Sequence, residues 1–226
     1  MHGHKNSIFL FVKYIGLVLT YMFAMDSFAQ TSFEKQYGKG MMVVTYDTNF
    51  VLNLYAAPNE SALAMNVLIG LDSNTNTLNV KFKADQQSWF HPETFWDEER
   101  IMHFVTLENN RGWYKIIVAK NTGKTMWLLQ SPQLKYFSWK DYLPNSVGIE
   151  RKQPGTNPIY KTIRPYKSIL DFKEQNCLKI IKIKGNWAKV GFNAEICPHL
   201  NEFNTLPKGW IKWRDDKGLL INYFLR

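Results

Sequence analysis

Cysteine is nearly missing from this 226-residue chain: Cys177 and Cys197 are the only two. A framework of several disulfides is therefore excluded. Histidine is scarce too, with five residues, two of which (His2 and His4) sit at the extreme N-terminus. His91 and His103 are separated by Pro92 and an acidic stretch, and Cys197 and His199 lie two apart, which lacks structural-zinc spacing. No metal site and no cofactor are expected. A Gly-rich phosphate loop, a P-loop and a Ser/His/Asp pattern are all lacking. Only one long apolar stretch exists, which excludes a polytopic membrane protein. Disorder is excluded by the opposite measure: 45% hydrophobic and 15% aromatic residues against 21% charged offer enough surface to bury. The length accommodates one or two domains.

The apolar stretch is at the start. His2, His4 and Lys5 precede Ile8–Met25, which is almost wholly apolar, and Ser27-Phe28-Ala29 follows. The clean run from Tyr14 to Met25 falls short of the ~20 residues that span a bilayer. Small residues at Ser27 and Ala29 suit a signal peptidase, so residues 1–29 read as a secretory signal peptide cleaved after Ala29. The alternative is an uncleaved anchor. Cleavage leaves 197 residues with a formal charge of +8, no membrane span, and a periplasmic or extracellular location. Nucleic acid is not an expected partner there; anionic envelope polymers or acidic proteins suit the charge better.

That charge is unevenly spread. Pro144, Gly148, Pro154, Gly155 and Pro158 punctuate residues 144–158, which read as a linker between domains at 30–143 and 159–226. From Gln30 to Glu150 the net charge is −1, and from Arg151 to Arg226 it is +9.

The pattern along the chain is one of strands. Leu78, Val80 and Phe82 alternate with polar residues. Trp113–Ala119 and Met126–Leu129 flank a Gly-containing turn and predict a hairpin. Leu178–Ile183 with Trp187–Phe192 predicts a second hairpin, and Gly209–Arg214 with Leu219–Phe224 a third. The one helix expected runs from Pro92 to about Met102, with Glu93, Asp97, Glu98 and Glu99 complementing its N-terminus. A pair of hydrolytic carboxylates is the less economical account of those four acids.

The halves echo each other. Gly112-Trp113-Tyr114-Lys115-Ile116 and Thr125-Met126-Trp127 in the first correspond to Asn186-Trp187-Ala188-Lys189-Val190 and Gly209-Trp210-Ile211 in the second. Upstream, Leu54-Tyr55-Ala56-Ala57-Pro58 corresponds to Ile163-Arg164-Pro165-Tyr166. "IKGNWAKVGF" followed by "KGWIKWRDDKGLLINYFL" resembles the bacterial SH3-like (SH3b) domain, most strongly over residues 160–226 and less over 41–130. The resemblance implies an all-β protein of two small SH3-like barrels in tandem. The first would be elaborated by an insertion between Asp72 and Asn110 rich in aromatics: Trp89, Phe90, Phe95, Trp96 and Phe104. It also implies a binding function without catalysis, with cell-wall peptidoglycan or another envelope component, such as an envelope protein, as partner.

The chemistry available fits binding. Neither Cys177 nor Cys197 opens a helix that would stabilise a thiolate, so a disulfide between them, or two buried thiols, is expected rather than a nucleophile. The ligand-binding candidates are Tyr55, Trp113, Trp127, Tyr166, Trp187, Trp210, Lys212, Trp213 and Arg214. Trp213 is in phase with Ile211 and Trp210 is not, so one of the two tryptophans belongs to the core and the other reaches solvent.

Overall fold

The computed structural model describes residues 37–47, 49–71, 78–81, 89–163, 169–170, 177–193, 197 and 208–225. Within them the chain is mostly strand. The first part contains β1 (Gly40–Thr45), β2 (Phe50–Tyr55), β3 (Leu63–Leu71), β4 (Leu78–Lys81), β5 (Thr94–Trp96), β6 (Ile101–Asn110), β7 (Trp113–Ala119), β8 (Lys124–Leu129) and β9 (Leu134–Ser138). A one-turn helix α1 (Trp139–Tyr142) follows. The second part contains β10 (Gly148–Arg151), β11 (Ile159–Tyr160), β12 (Ile169–Leu170), β13 (Leu178–Lys184), β14 (Trp187–Phe192), β15 (Gly209–Lys212) and β16 (Ile221–Phe224). The expected signal peptide lies outside the described residues.

Two sheets result. The first runs β4-β3-β2-β8-β7-β6-β1-β9, with β5 added on β6, and the second runs β12-β11-β15-β14-β13-β10-β16. Neither path closes on itself, so the all-β expectation is met by two open sheets rather than by closed barrels. The second order repeats the first: β10, β11 and β12 occupy the places of β1, β2 and β3, and β13 to β16 those of β6 to β9. The echo in sequence is thus an echo in topology. Even an irregularity recurs, since the β6–β7 register shifts between Thr106 and Glu108 and the β13–β14 register shifts between Ile180 and Lys182.

Each sheet has its own core. Met42, Val44, Leu54, Phe104, Ile116 and Leu128 are among the residues that fill the first, and Ile149, Ile180, Val190, Ile211, Trp213 and Ile221 among those that fill the second. The aromatic insertion is consumed by the first: Phe90 and Phe104 are buried there, with Trp89 and Phe95 packed against it. The cores are not separate bodies. Met41, one residue from Met42, belongs to the second core, as do Trp139, Tyr142 and Leu143, and Val43, Val105 and Phe137 pack against it. The period of two explains this: one face of β1, β6 and β9 feeds the first core and the opposite face feeds the second. Trp139 anchors the junction, donating its ring N–H to the Tyr37 and Gly38 carbonyls, both at 3.1 Å.

The structure revises three sequence expectations. Within 144–158, the stretch expected to act as a linker, Gly148–Arg151 is strand β10 between β13 and β16. The exposed loop that follows is anchored at Asn157: Arg151 donates to the Asn157 carbonyl (3.0 Å), and Asn157 donates to the Lys212 carbonyl (2.7 Å) and accepts from the Lys212 N–H (3.1 Å). The helix expected at Pro92–Met102 is instead strand β5, whose Thr94, Phe95 and Trp96 pair with His103, Met102 and Ile101. β-Branched and aromatic residues favour the pleated surface there; Asp97, Glu98 and Glu99 fall into the turn after β5, where the Asp97 carboxylate accepts from the Glu98 N–H at 3.1 Å, and Glu93 precedes the strand. The third hairpin forms its turn, with Asp215 accepting from the N–H groups of Lys217 (2.8 Å) and Gly218 (2.9 Å). Beyond a single bridge at Arg214 and Leu219 the strands part, and β16 crosses to pair with β10.

Cys177 and Cys197 are joined by a disulfide, with Cα atoms 5.8 Å apart. It tethers the start of β13 to the connection between β14 and β15.

Candidate ligand-binding surface

Alternation decides which aromatic side chains leave the core. In β7, Tyr114, Ile116 and Val118 are buried, so Trp113 and Lys115 stand on the opposite, outer face. In β8, Met126 and Leu128 are buried and Trp127 is outward. The second sheet does the same: Ala188, Val190 and Ile211 point inward, while Trp187, Lys189, Trp210 and Lys212 point outward.

Register then gathers these residues. Lys115 lies directly across from Trp127, and Trp127 from Tyr55 on β2. The edge of Tyr55 meets Trp113 with ring centres 5.0 Å apart and planes at 89°. In the second sheet Lys189 lies across from Trp210, and Trp210 from Tyr160 on β11. Tyr160 meets Trp187 with ring centres 5.7 Å apart and planes at 78°. Two sets of the same residue types (a tyrosine, two tryptophans and a lysine) therefore occupy equivalent strand positions, Tyr55 itself being buried and Tyr160 half-buried. The four tryptophans are half-buried, leaving part of each ring accessible. Ammonium groups border the rings: Lys115 is 5.7 Å from the Trp127 centre, Lys182 is 5.8 Å from that of Trp210, and Lys212 is 5.7 Å from that of Trp187.

Six of the nine residues singled out from sequence fall on this pair of patches: Tyr55, Trp113, Trp127, Trp187, Trp210 and Lys212. Trp213 does not. It is only 2% exposed, in the second core, with its ring N–H donated to the Gly185 carbonyl at 2.9 Å. Arg214 covers it, the guanidinium 4.9 Å from the ring centre and its Nε donating to Asn186 Oδ1 at 2.8 Å. Tyr166 lies outside the described residues. The counterpart of Tyr55 is Tyr160, which sequence reasoning passed over because no turn signal follows it. Lys115 and Lys189 were also overlooked, although each stands two residues after the tryptophan that opens its strand.

Away from these faces, a cleft of about 360 Å³ lies at the junction of the sheets, lined by Tyr37, Glu93, Lys120, Trp139, Lys152 and Tyr223 among others. Its polar groups serve the junction: Tyr223 donates to Glu93 Oε1 at 3.1 Å, and Lys120 to the Glu93 carbonyl at 3.1 Å. Burial, reinforced by the Glu93 carboxylate, raises the phenol pKa of Tyr223 and Tyr142. Nearby, His103 is buried, its Nδ1 2.6 Å from Thr94 Oγ1, and desolvation lowers its pKa to about 4, so it is neutral at ordinary pH. Among the described residues no three His, Cys, Asp or Glu side chains group as metal ligands.

No protein-family model, curated protein or solved structure matches this chain.

Proposed function

We propose that this chain is a secreted, non-catalytic binding protein that docks onto cell-wall peptidoglycan through the two aromatic and lysine patches of a pair of SH3-like modules. One observation carries this reading: the same tyrosine, two tryptophans and lysine recur at the same strand positions on both outer faces. Partly exposed tryptophans next to ammonium groups suit stacking on a sugar ring or a peptide group beside an anionic one. The repeated pairing order, with five successive neighbours β8-β7-β6-β1-β9 and again β15-β14-β13-β10-β16, supports two modules of the five-stranded kind. The N-terminal apolar stretch supports export. The disulfide is compatible with an oxidising compartment and leaves neither cysteine as a nucleophile.

A protein–protein adaptor is the second reading, favoured by the shared packing of Met41 and Trp139, which makes the two modules one platform. Co-sedimentation with purified peptidoglycan separates the two. Retention that falls as salt rises and is lost in Trp127→Ala with Trp210→Ala supports wall binding. No retention at any salt concentration defeats it and leaves the adaptor.

A further inference from the structure

The two patches share their rings but not their charge. Following the register outward from each lysine, Glu108 lies across from Lys115 in the first sheet, and Lys182 lies across from Lys189 in the second. Both pairs come directly after the repeated register shift, so Glu108 and Lys182 are equivalent positions carrying opposite charge. The neighbours follow suit: Asn110 and Leu129 flank Trp113, whereas Lys184 and Lys212 flank Trp187. In the first patch Glu108 neutralises Lys115 through an ion pair at 3.0 Å. In the second, Lys182, Lys184, Lys189 and Lys212 surround the two tryptophans, and among the described residues no carboxylate stands within ion-pair distance of them. Like charges placed directly across a ladder oppose folding. A sheet that keeps them beside accessible rings, at the place where its twin keeps an ion pair, has the form of a site held ready for a counter-charge.

We infer that the second patch is a subsite for an acidic polysaccharide, stacking sugar rings on Trp187 and Trp210 while the lysine cluster takes the carboxylates, and that the first patch is its charge-neutral counterpart for uncharged rings. This rests on the proposed reading of the tryptophans as a ligand surface, and it specifies which half sees charge.

A charge exchange tests it. Lys182→Glu recreates in the second sheet the pair that Glu108 and Lys115 make in the first, so the fold should hold or gain stability. Binding to a polygalacturonate oligosaccharide, measured by calorimetry on the full chain, should weaken about fivefold to tenfold and lose much of its salt dependence. Glu108→Lys should add salt-sensitive affinity for the same probe. Neutral dextran, the control, should bind the wild type more weakly and be indifferent to Lys182→Glu. The inference is overturned if the wild type fails to bind polygalacturonate, if Lys182→Glu binds it as tightly as wild type, or if dextran binds equally well. Those results are separable from the wall reading: peptidoglycan retention that depends on Trp127 and Trp210 but ignores Lys182→Glu keeps the wall as ligand and defeats the charge assignment alone.

Discussion

Met41 and Met42 are adjacent in the chain, both are fully inaccessible to solvent, and they belong to different cores. Strand β1 of the first sheet is therefore a wall common to both cores. The halves are expected to unfold in one transition, and Met41→Ala should cost about 2–5 kcal/mol. Denaturant titration followed by tryptophan fluorescence and by far-ultraviolet circular dichroism gives coincident curves if this holds. Two separated transitions would show that the cores are independent.

The tryptophans divide by alternation into ligand-facing and structural sets. Trp213→Ala, which empties a core position and removes the bond to the Gly185 carbonyl, should destabilise by about 3–5 kcal/mol. Trp127→Ala and Trp210→Ala should leave the melting temperature nearly unchanged and weaken ligand binding about tenfold or more each. Thermal melts beside co-sedimentation distinguish the two sets. A large loss of stability in Trp210→Ala would return that ring to the core.

His103 links stability to pH. Its pKa in the folded chain is lowered to about 4 by burial, against an ordinary value near 6.5. The unfolded chain therefore binds the proton more readily. The stabilisation is fully present above about pH 6.5, is lost progressively as pH falls, and is gone once pH drops below about 4. The ring meets Trp96 and Tyr142 edge to face, with centres 5.3 and 5.8 Å away, so charging it would put an imidazolium among aromatic rings and out of water. His103→Gln should flatten the stability profile between those limits, as read by urea midpoints across pH. An unchanged slope would assign the acid sensitivity to another group.

The Cys177–Cys197 disulfide closes a loop of 20 residues and is expected to contribute about 3 kcal/mol by restricting the unfolded chain. Reduction, or Cys177→Ser with Cys197→Ser, should lower the unfolding midpoint without abolishing ligand binding, because the cysteines lie before β13 and between β14 and β15, outside the strand positions that carry the aromatic patches. Equal midpoints in oxidised and reduced protein would argue against a stabilising bond.

Much of this was legible in local sequence. Strand-like runs flanking a Gly-containing turn marked the hairpins Trp113–Ala119 with Met126–Leu129 and Leu178–Ile183 with Trp187–Phe192, because neighbouring strands joined by a tight turn depend on residues close together in the chain. Alternation also put Trp210 and Trp213 on opposite faces, but left open which of the two was buried. The two cysteines in a chain with an export-like start pointed to their own pairing. Local pattern misread Thr94–Trp96 as helix, since acids near a proline look the same before a helix as in a turn, and only the ladder to β6 decides between them.

Tertiary structure alone decided the rest. The crossing of β16 to β10, the double-sided burial of β1 and the meeting of Tyr160 with Trp187 depend on contacts between distant segments, which carry no local signature. The opposition of Glu108 to Lys115 and of Lys182 to Lys189 arises only after a register shift in each ladder. A shift of one residue turns every following side chain to the other face, so charge in the sequence becomes charge at a site only when the strands are paired.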